Sequence, residues 1–191
     1  MTLYSILLIS VSIIWIAFEI LLVVRDRIQG KGSTGNDRGT RYLNFAAIFL
    51  GITVAGILRG NSRFFFPAGW SNTVFWVGLC IIVLGFAFRI WSVIALGASF
   101  RTTVETHTNQ LVVSNGPYRL LRHPSYTGLL MMCIGCGIAD QNWLSLAFAV
   151  ILPLAALLYR IRIEEAALVS SIGSNYVEYQ RNTKKLIPWV W

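Results

Sequence analysis

The sequence predicts an all-α, polytopic integral membrane protein with about five transmembrane helices, the last two forming a C-terminal hairpin. Three observations predict it. Of the 191 residues, 55% are hydrophobic and only 13% are charged, about half the charged share of a soluble domain. The mean hydropathy is +0.63. The apolar residues also fall in long blocks rather than in alternating apolar and polar positions, so no water-facing side is set aside.

The blocks define the elements in order. Residues 3–24 carry one charge, Glu19, and no Lys or Arg. The block is longer than the ~7–15-residue apolar core of a cleaved signal, so it reads as a retained span. Residues 42–58 are uncharged, 74–96 contain only Arg89, and 126–139 and 143–159 are uncharged. A bilayer takes about 20 apolar helical residues; the first and third blocks meet this, the second and fifth approach it, and the fourth is short. The turn ADQN at 139–142 joins the last two as a helical hairpin. Between blocks, GKGSTGNDRG at 30–39 has the Gly/Ser/Asn content of a flexible loop, and the aromatics of RGNSRFFFPAGW at 59–70 suit a membrane interface. After Tyr159 the chain turns polar yet stays helix-compatible through RIRIEEAALVSSIG, breaks at Gly173 and resumes in SNYVEYQRNTKKL. We read residues 1–191 as a single membrane domain. Three N-terminal spans occupy 1–96, and a polar loop, the hairpin and a tail occupy 97–191.

Orientation follows from the 16 Lys and Arg residues. Arg25, Arg27, Lys31, Arg38 and Arg41 follow span one, Arg101, Arg119 and Arg122 follow span three, and Arg160, Arg162, Arg181, Lys184 and Lys185 lie in the tail. With the N-terminus outside, five spans place all of these in the cytosol, as the positive-inside rule requires. The net charge of +8 therefore reports topology and contact with anionic headgroups, not a nucleic-acid partner. Oligomeric state leaves no mark on the sequence. The three cysteines do not suggest a disulfide framework, and CIGC at 133–136 sits in an apolar span with Gly135 and Gly137, where small residues favour close helix packing over a metal or redox role. Glu19 and Arg89 are intramembrane charges that each need a partner, and at similar depths they suit one another.

Two charged clusters stand at the ends of the hairpin. In NGPYRLLRHPSYTG, 115–128, Pro124 suits the first turn of a helix, so span four should begin near residues 123–125. Its unsatisfied N–H groups and the positive dipole end would then face an anion, beside Arg119, Arg122, His123, Tyr118 and Tyr126. In YRIRIEEAAL, 159–168, Arg160 with Glu164 and Arg162 with Glu165 share helix faces. Anchoring explains Arg119 and Arg122 but not His123 and Pro124, and a basic cap with an ion pair explains the second cluster taken alone. Together, on one predicted face of one hairpin, they look like the two walls of a cleft.

The run LVVSNGPYRLLRHPSYTG followed by RIRIEEAALVSSIGSNYVEYQRNTKKLIP resembles the isoprenylcysteine carboxyl methyltransferase family, to which phospholipid N-methyltransferases are related. The resemblance covers residues ~97–188; before that only hydropathy matches. It implies a membrane enzyme that uses S-adenosyl-L-methionine and has its active site in the cytosol. The cofactor would be held by the backbone at Gln110, Leu111, Val112 and Val113, by Tyr118, by His123, Pro124, Ser125 and Tyr126, and by Glu164, with Glu165 beside it. Arg160 would meet the acceptor carboxylate. The implied partner is a prenylcysteine-like or other lipid substrate within the membrane. A phospholipid amine as acceptor, or a non-enzymatic membrane protein that uses its basic face only as an anchor, remain the alternatives.

Overall fold

The computed structural model describes residues 3–28, 37, 39–58, 62–102 and 112–190. They form α1 (Leu3–Ile28), α2 (Thr40–Leu58), α3 (Ser71–Leu96), α4 (Pro124–Ala139), α5 (Trp143–Ile172) and α6 (Ser174–Asn182), joined by turns that include a 3₁₀ segment at Gly116–Arg119. Helices α1, α2, α3 and α5 are long and apolar enough to cross a membrane. Helix α4 has 16 residues, about 24 Å at the helical rise and so shorter than the ~30 Å hydrocarbon core. The hairpin is present as α4 and α5. Helix α5 does not stop where its apolar block does. Residues 160–172 contain no helix breaker, and the chain turns only at Gly173, whose φ of +72° suits glycine.

Glycines set the closest packing. A side chain at Gly78 would lie 2.7 Å from the Gly135 carbonyl, and one at Gly85 2.8 Å from the Gly128 carbonyl. Reciprocal glycines thus bring α3 and α4 to backbone contact, and CIGC lends its Gly135 to this contact. The core around them holds Trp15, Ile82, Leu129, Met132, Cys133 and Leu157. Helix α5 is tied to α2 at the far end. Asn142 caps α5 by accepting from the Leu144 and Ser145 amides, and the Ser145 hydroxyl donates to the Ala55 carbonyl at 2.7 Å.

Helix α1 leans on α3 through Leu22, Val93 and Phe100 and through one ion pair. Arg89 donates from Nε and one terminal nitrogen to the two Glu19 oxygens at 2.6 and 2.7 Å, the pairing that two intramembrane charges require. Most of its other apolar residues, Ile6, Ile9, Ile13, Ile16 and Ile20 among them, are exposed. An uncovered apolar surface of this size is stable in lipid and not in water. The chain is an integral membrane protein.

Candidate functional site

At the start of α4, Pro124 occupies the first helical turn and His123 precedes it. Leu121 pairs with Lys184 in a parallel bridge, and the His123 amide donates to the Lys185 carbonyl at 3.1 Å. The Thr127 hydroxyl donates to the Leu186 carbonyl at 2.8 Å, and the Tyr179 hydroxyl to the Tyr118 carbonyl at 2.7 Å. The tail is therefore the strap that shapes the turn. Burial, with Glu164 nearby, pushes the Tyr118 phenol above its ordinary range, and burial does the same to Tyr179. Both stay protonated.

The two clusters meet. The Tyr126 hydroxyl donates to Glu164 at 2.7 Å and accepts from Arg160 Nε at 2.7 Å. His123 stacks on Tyr126, with rings 5.4 Å apart and 5° from parallel. Glu165 accepts from Arg122 Nε at 2.7 Å and lies 3.2 Å from His123 Nε2. From below, Arg89 donates to the Ser125 hydroxyl at 2.7 Å and to its carbonyl at 3.1 Å. The Glu19–Arg89 pair therefore holds the first turn of α4 as well as α1.

The pairing differs from the one read along the helix. Arg160 reaches Glu164 only through Tyr126. Its ion-pair partner is Asp37 at 3.0 Å, with Thr40 Oγ1 at 3.0 Å and the Thr102 carbonyl at 2.7 Å taking further hydrogens. Arg162 is exposed and Glu165 pairs elsewhere. Neighbours four apart on a helix share a face, but at a bundle interface a guanidinium turns to the oxygens buried opposite it. Arg160 is 4% exposed, and four of the five N–H groups of its guanidinium are used in these bonds. Among the described residues these bonds leave one guanidinium hydrogen, not the two that a fork clamping a carboxylate would use.

Around this junction lies a cavity of about 840 Å³. Val112, Val113, Tyr118, His123, Ser125, Tyr126, Arg160 and Glu164 line its polar end; Ile16, Ile20 and Val23 of α1 and Phe45, Ile48 and Ile52 of α2 line its apolar part. Pro124 is buried in the first turn and Glu165 braces the wall from behind. Gln110 and Leu111 lie outside the described residues. The sequence reading missed Asp37, Thr40, Asn44 and Thr102. Asn44 could have been found as an amide in an otherwise apolar block; the others have no local signal.

A polar, partly anionic wall with the Glu164 carboxylate, 27% exposed, fits a water-soluble cofactor bearing amino and hydroxyl groups. The apolar part fits a lipid chain. Residues 76–170 match the model of the isoprenylcysteine carboxyl methyltransferase family. The chain is 31% identical over 132 residues to protein-S-isoprenylcysteine O-methyltransferase of Tribolium castaneum, covering 66% of this chain and 46% of that one. It is 34% identical over 116 residues to the Arabidopsis thaliana enzyme B, covering 59% and 58%. Among solved structures it is similar to a eukaryotic intramembrane Ras methyltransferase, isoprenylcysteine carboxyl methyltransferase. That match has a TM-score of 0.53 and 28% identity over 79% of this chain and 51% of the other. The chain thus spans about half the length of these relatives. The matched segment runs from α3 through both charged clusters, so the part of the chain that carries the candidate site is similar to the isoprenylcysteine carboxyl methyltransferase family.

Proposed function

We propose that this chain is an S-adenosyl-L-methionine-dependent methyltransferase that O-methylates the carboxylate of a prenylated cysteine or a similar lipid-borne carboxylate, at the cytosolic face of its membrane. One observation carries the reading. A single cavity joins an apolar wall of α1 and α2 to a polar end where Tyr126 links Arg160 and Glu164.

When bound, the cofactor supplies a methyl group on a cationic sulfur. A carboxylate acceptor is already ionised, so no residue has to remove a proton. What remains is alignment and exclusion of water. Glu164, His123, Tyr118 and the backbone at Val112 and Val113 form the cofactor side; Gln110 and Leu111 would continue it. Pro124 and Ser125 fix the turn, Ser125 by accepting from Arg89. Glu165 keeps Arg122 and His123 in place. Arg160 offers its remaining N–H to the acceptor carboxylate, a charge-assisted contact, while the lipid chain lies between α1 and α2. The positive-inside rule applied to the basic segments supports a cytosolic C-terminus and a cytosolic position for this end of the bundle.

The test is to incubate the detergent-purified protein with methyl-labelled cofactor and either a farnesylcysteine analogue or phosphatidylethanolamine, then treat with base. Release of labelled methanol identifies an ester. Base-stable label on phosphatidylethanolamine would make the acceptor an amine. No transfer to either acceptor, together with no binding of S-adenosylhomocysteine, would leave the basic face an anchor.

A further inference from the structure

We propose that Asn44 is a specificity-determining residue that reads an N–H group beside the acceptor carboxylate, so that the site selects an amide-bearing acceptor over a simple lipid acid. The inference rests on the function proposed above and adds a residue outside the family-matched segment 76–170.

Asn44 lies in α2, in the uncharged block 42–58, whose other polar side chains are Tyr42 and Thr53. It is 8% exposed, lines the cavity, and its Oδ1 finds no hydrogen-bond partner among the described residues. A buried polar atom left unpaired is costly, and native proteins rarely keep one without a use. A second such atom lines the same cavity: the Thr102 hydroxyl is buried without a partner among the described residues.

Both flank Arg160. Thr40, one helical turn before Asn44, accepts from Arg160 with its hydroxyl, and Thr102 accepts with its carbonyl. The cavity that Arg160 lines therefore holds two unfilled hydrogen-bonding atoms among the described residues, one on its partner Thr102 and one a helical turn from its partner Thr40. A carboxylate oxygen and an isoprenoid chain offer no hydrogen to Asn44 Oδ1. An acylated cysteine does, through the N–H on the carbon that bears its carboxylate. The match is chemical: one cation for the carboxylate, one amide oxygen for the neighbouring N–H, and an apolar wall for the chain. A site built to hydrogen-bond an N–H discriminates against the analogue that lacks it, because the protein atom is then left unpaired.

The experiment compares N-acetyl-S-farnesylcysteine with S-farnesyl-3-mercaptopropionate, which keeps the thioether, chain and carboxylate but has no amide. Wild-type protein, Asn44→Ala and Asn44→Leu are measured with both, alongside S-adenosylhomocysteine affinity and thermal stability without ligand. Wild type should prefer the amide acceptor about tenfold in kcat/KM, the worth of one good hydrogen bond. Both variants should bring the ratio near one while cofactor affinity stays unchanged. Their Tm should hold or rise, since they remove an unpaired buried group; a merely structural Asn44 would lower it. Should Asn44→Ala fold poorly, Asn44→Ser supplies the same comparison. Equal use of both acceptors by wild type, or an undiminished preference in the variants, overturns the proposal while leaving the methyltransferase intact. Absence of turnover and of S-adenosylhomocysteine binding in wild type would instead remove the function on which it rests.

Discussion

Tyr126 occupies the position from which both walls of the cavity are held. Its hydroxyl has one hydrogen to give, to Glu164, and accepts one from Arg160, so the carboxylate and the guanidinium are oriented by the same oxygen. The adjacent glutamates thereby have different work. Glu164 lines the cavity, whereas Glu165 is spent on Arg122 and His123. Glu164→Ala should weaken S-adenosylhomocysteine binding about tenfold or more with little loss of Tm, by removing a charge-assisted contact. Glu165→Ala should chiefly destabilise the protein, by about 1–3 kcal/mol, because Arg122 loses its carboxylate. Calorimetry and thermal melts on the two variants check this; wild-type affinity in Glu164→Ala would remove it from the cofactor wall. Arg160→Lys keeps the charge but not the planar geometry that serves Tyr126, Asp37, Thr40 and Thr102 together. Its kcat/KM for a prenylcysteine analogue should fall about ten- to a hundredfold while cofactor affinity barely changes. Wild-type turnover would exclude Arg160 from the site, since anchoring accepts Lys as readily as Arg.

Among the elements, α3 is the spine. Its glycines admit α4 to backbone contact, and one helical turn past Gly85, Arg89 reaches both the first turn of α4 and Glu19 of α1. Helix α1 therefore touches the site through this ion pair and, at its end, through Asp26, which accepts from the Thr102 amide at 2.6 Å. Removing either charge should cost about 1–3 kcal/mol by leaving the other unpaired at shallow depth. Replacing both with apolar residues should recover much of it, although Ser125 then loses a donor. A double-mutant cycle of Tm values measures the coupling, and strictly additive losses would show that the two charges do not depend on each other. The intramembrane pair was legible in the sequence because lipid offers no water to either charge. The Arg160–Asp37 pair was not: its partners stand 123 residues apart, and on the helix itself Glu164 is the nearer candidate.

In the whole molecule, α1 and α2 form the lipid-side wall of the cavity while the tail closes the opposite end. A lipid acceptor and a soluble cofactor would thus approach from different phases. By the positive-inside rule the basic segments should face the cytosol. A cysteine at Asn72, exposed at the start of α3, should react with an impermeant maleimide from outside intact cells, and one at Val190 only after permeabilisation. The reverse pattern would invert the topology.

The sequence by itself determined the helices, the hairpin, the break at Gly173 and which two charged segments meet at the cavity. In lipid every backbone group must be satisfied within its own segment, so hydropathy writes the elements locally, and charge in an apolar chain marks its own positions. It did not determine partners. Arg160 facing Asp37, Glu165 facing Arg122, the tail pairing beside Leu121 and the amide of Asn44 in the cavity wall were decided only by tertiary structure. A buried charge or amide is satisfied by whatever the packed helices bring within about 3 Å of it, and that distance depends on how the helices pack rather than on spacing along the chain.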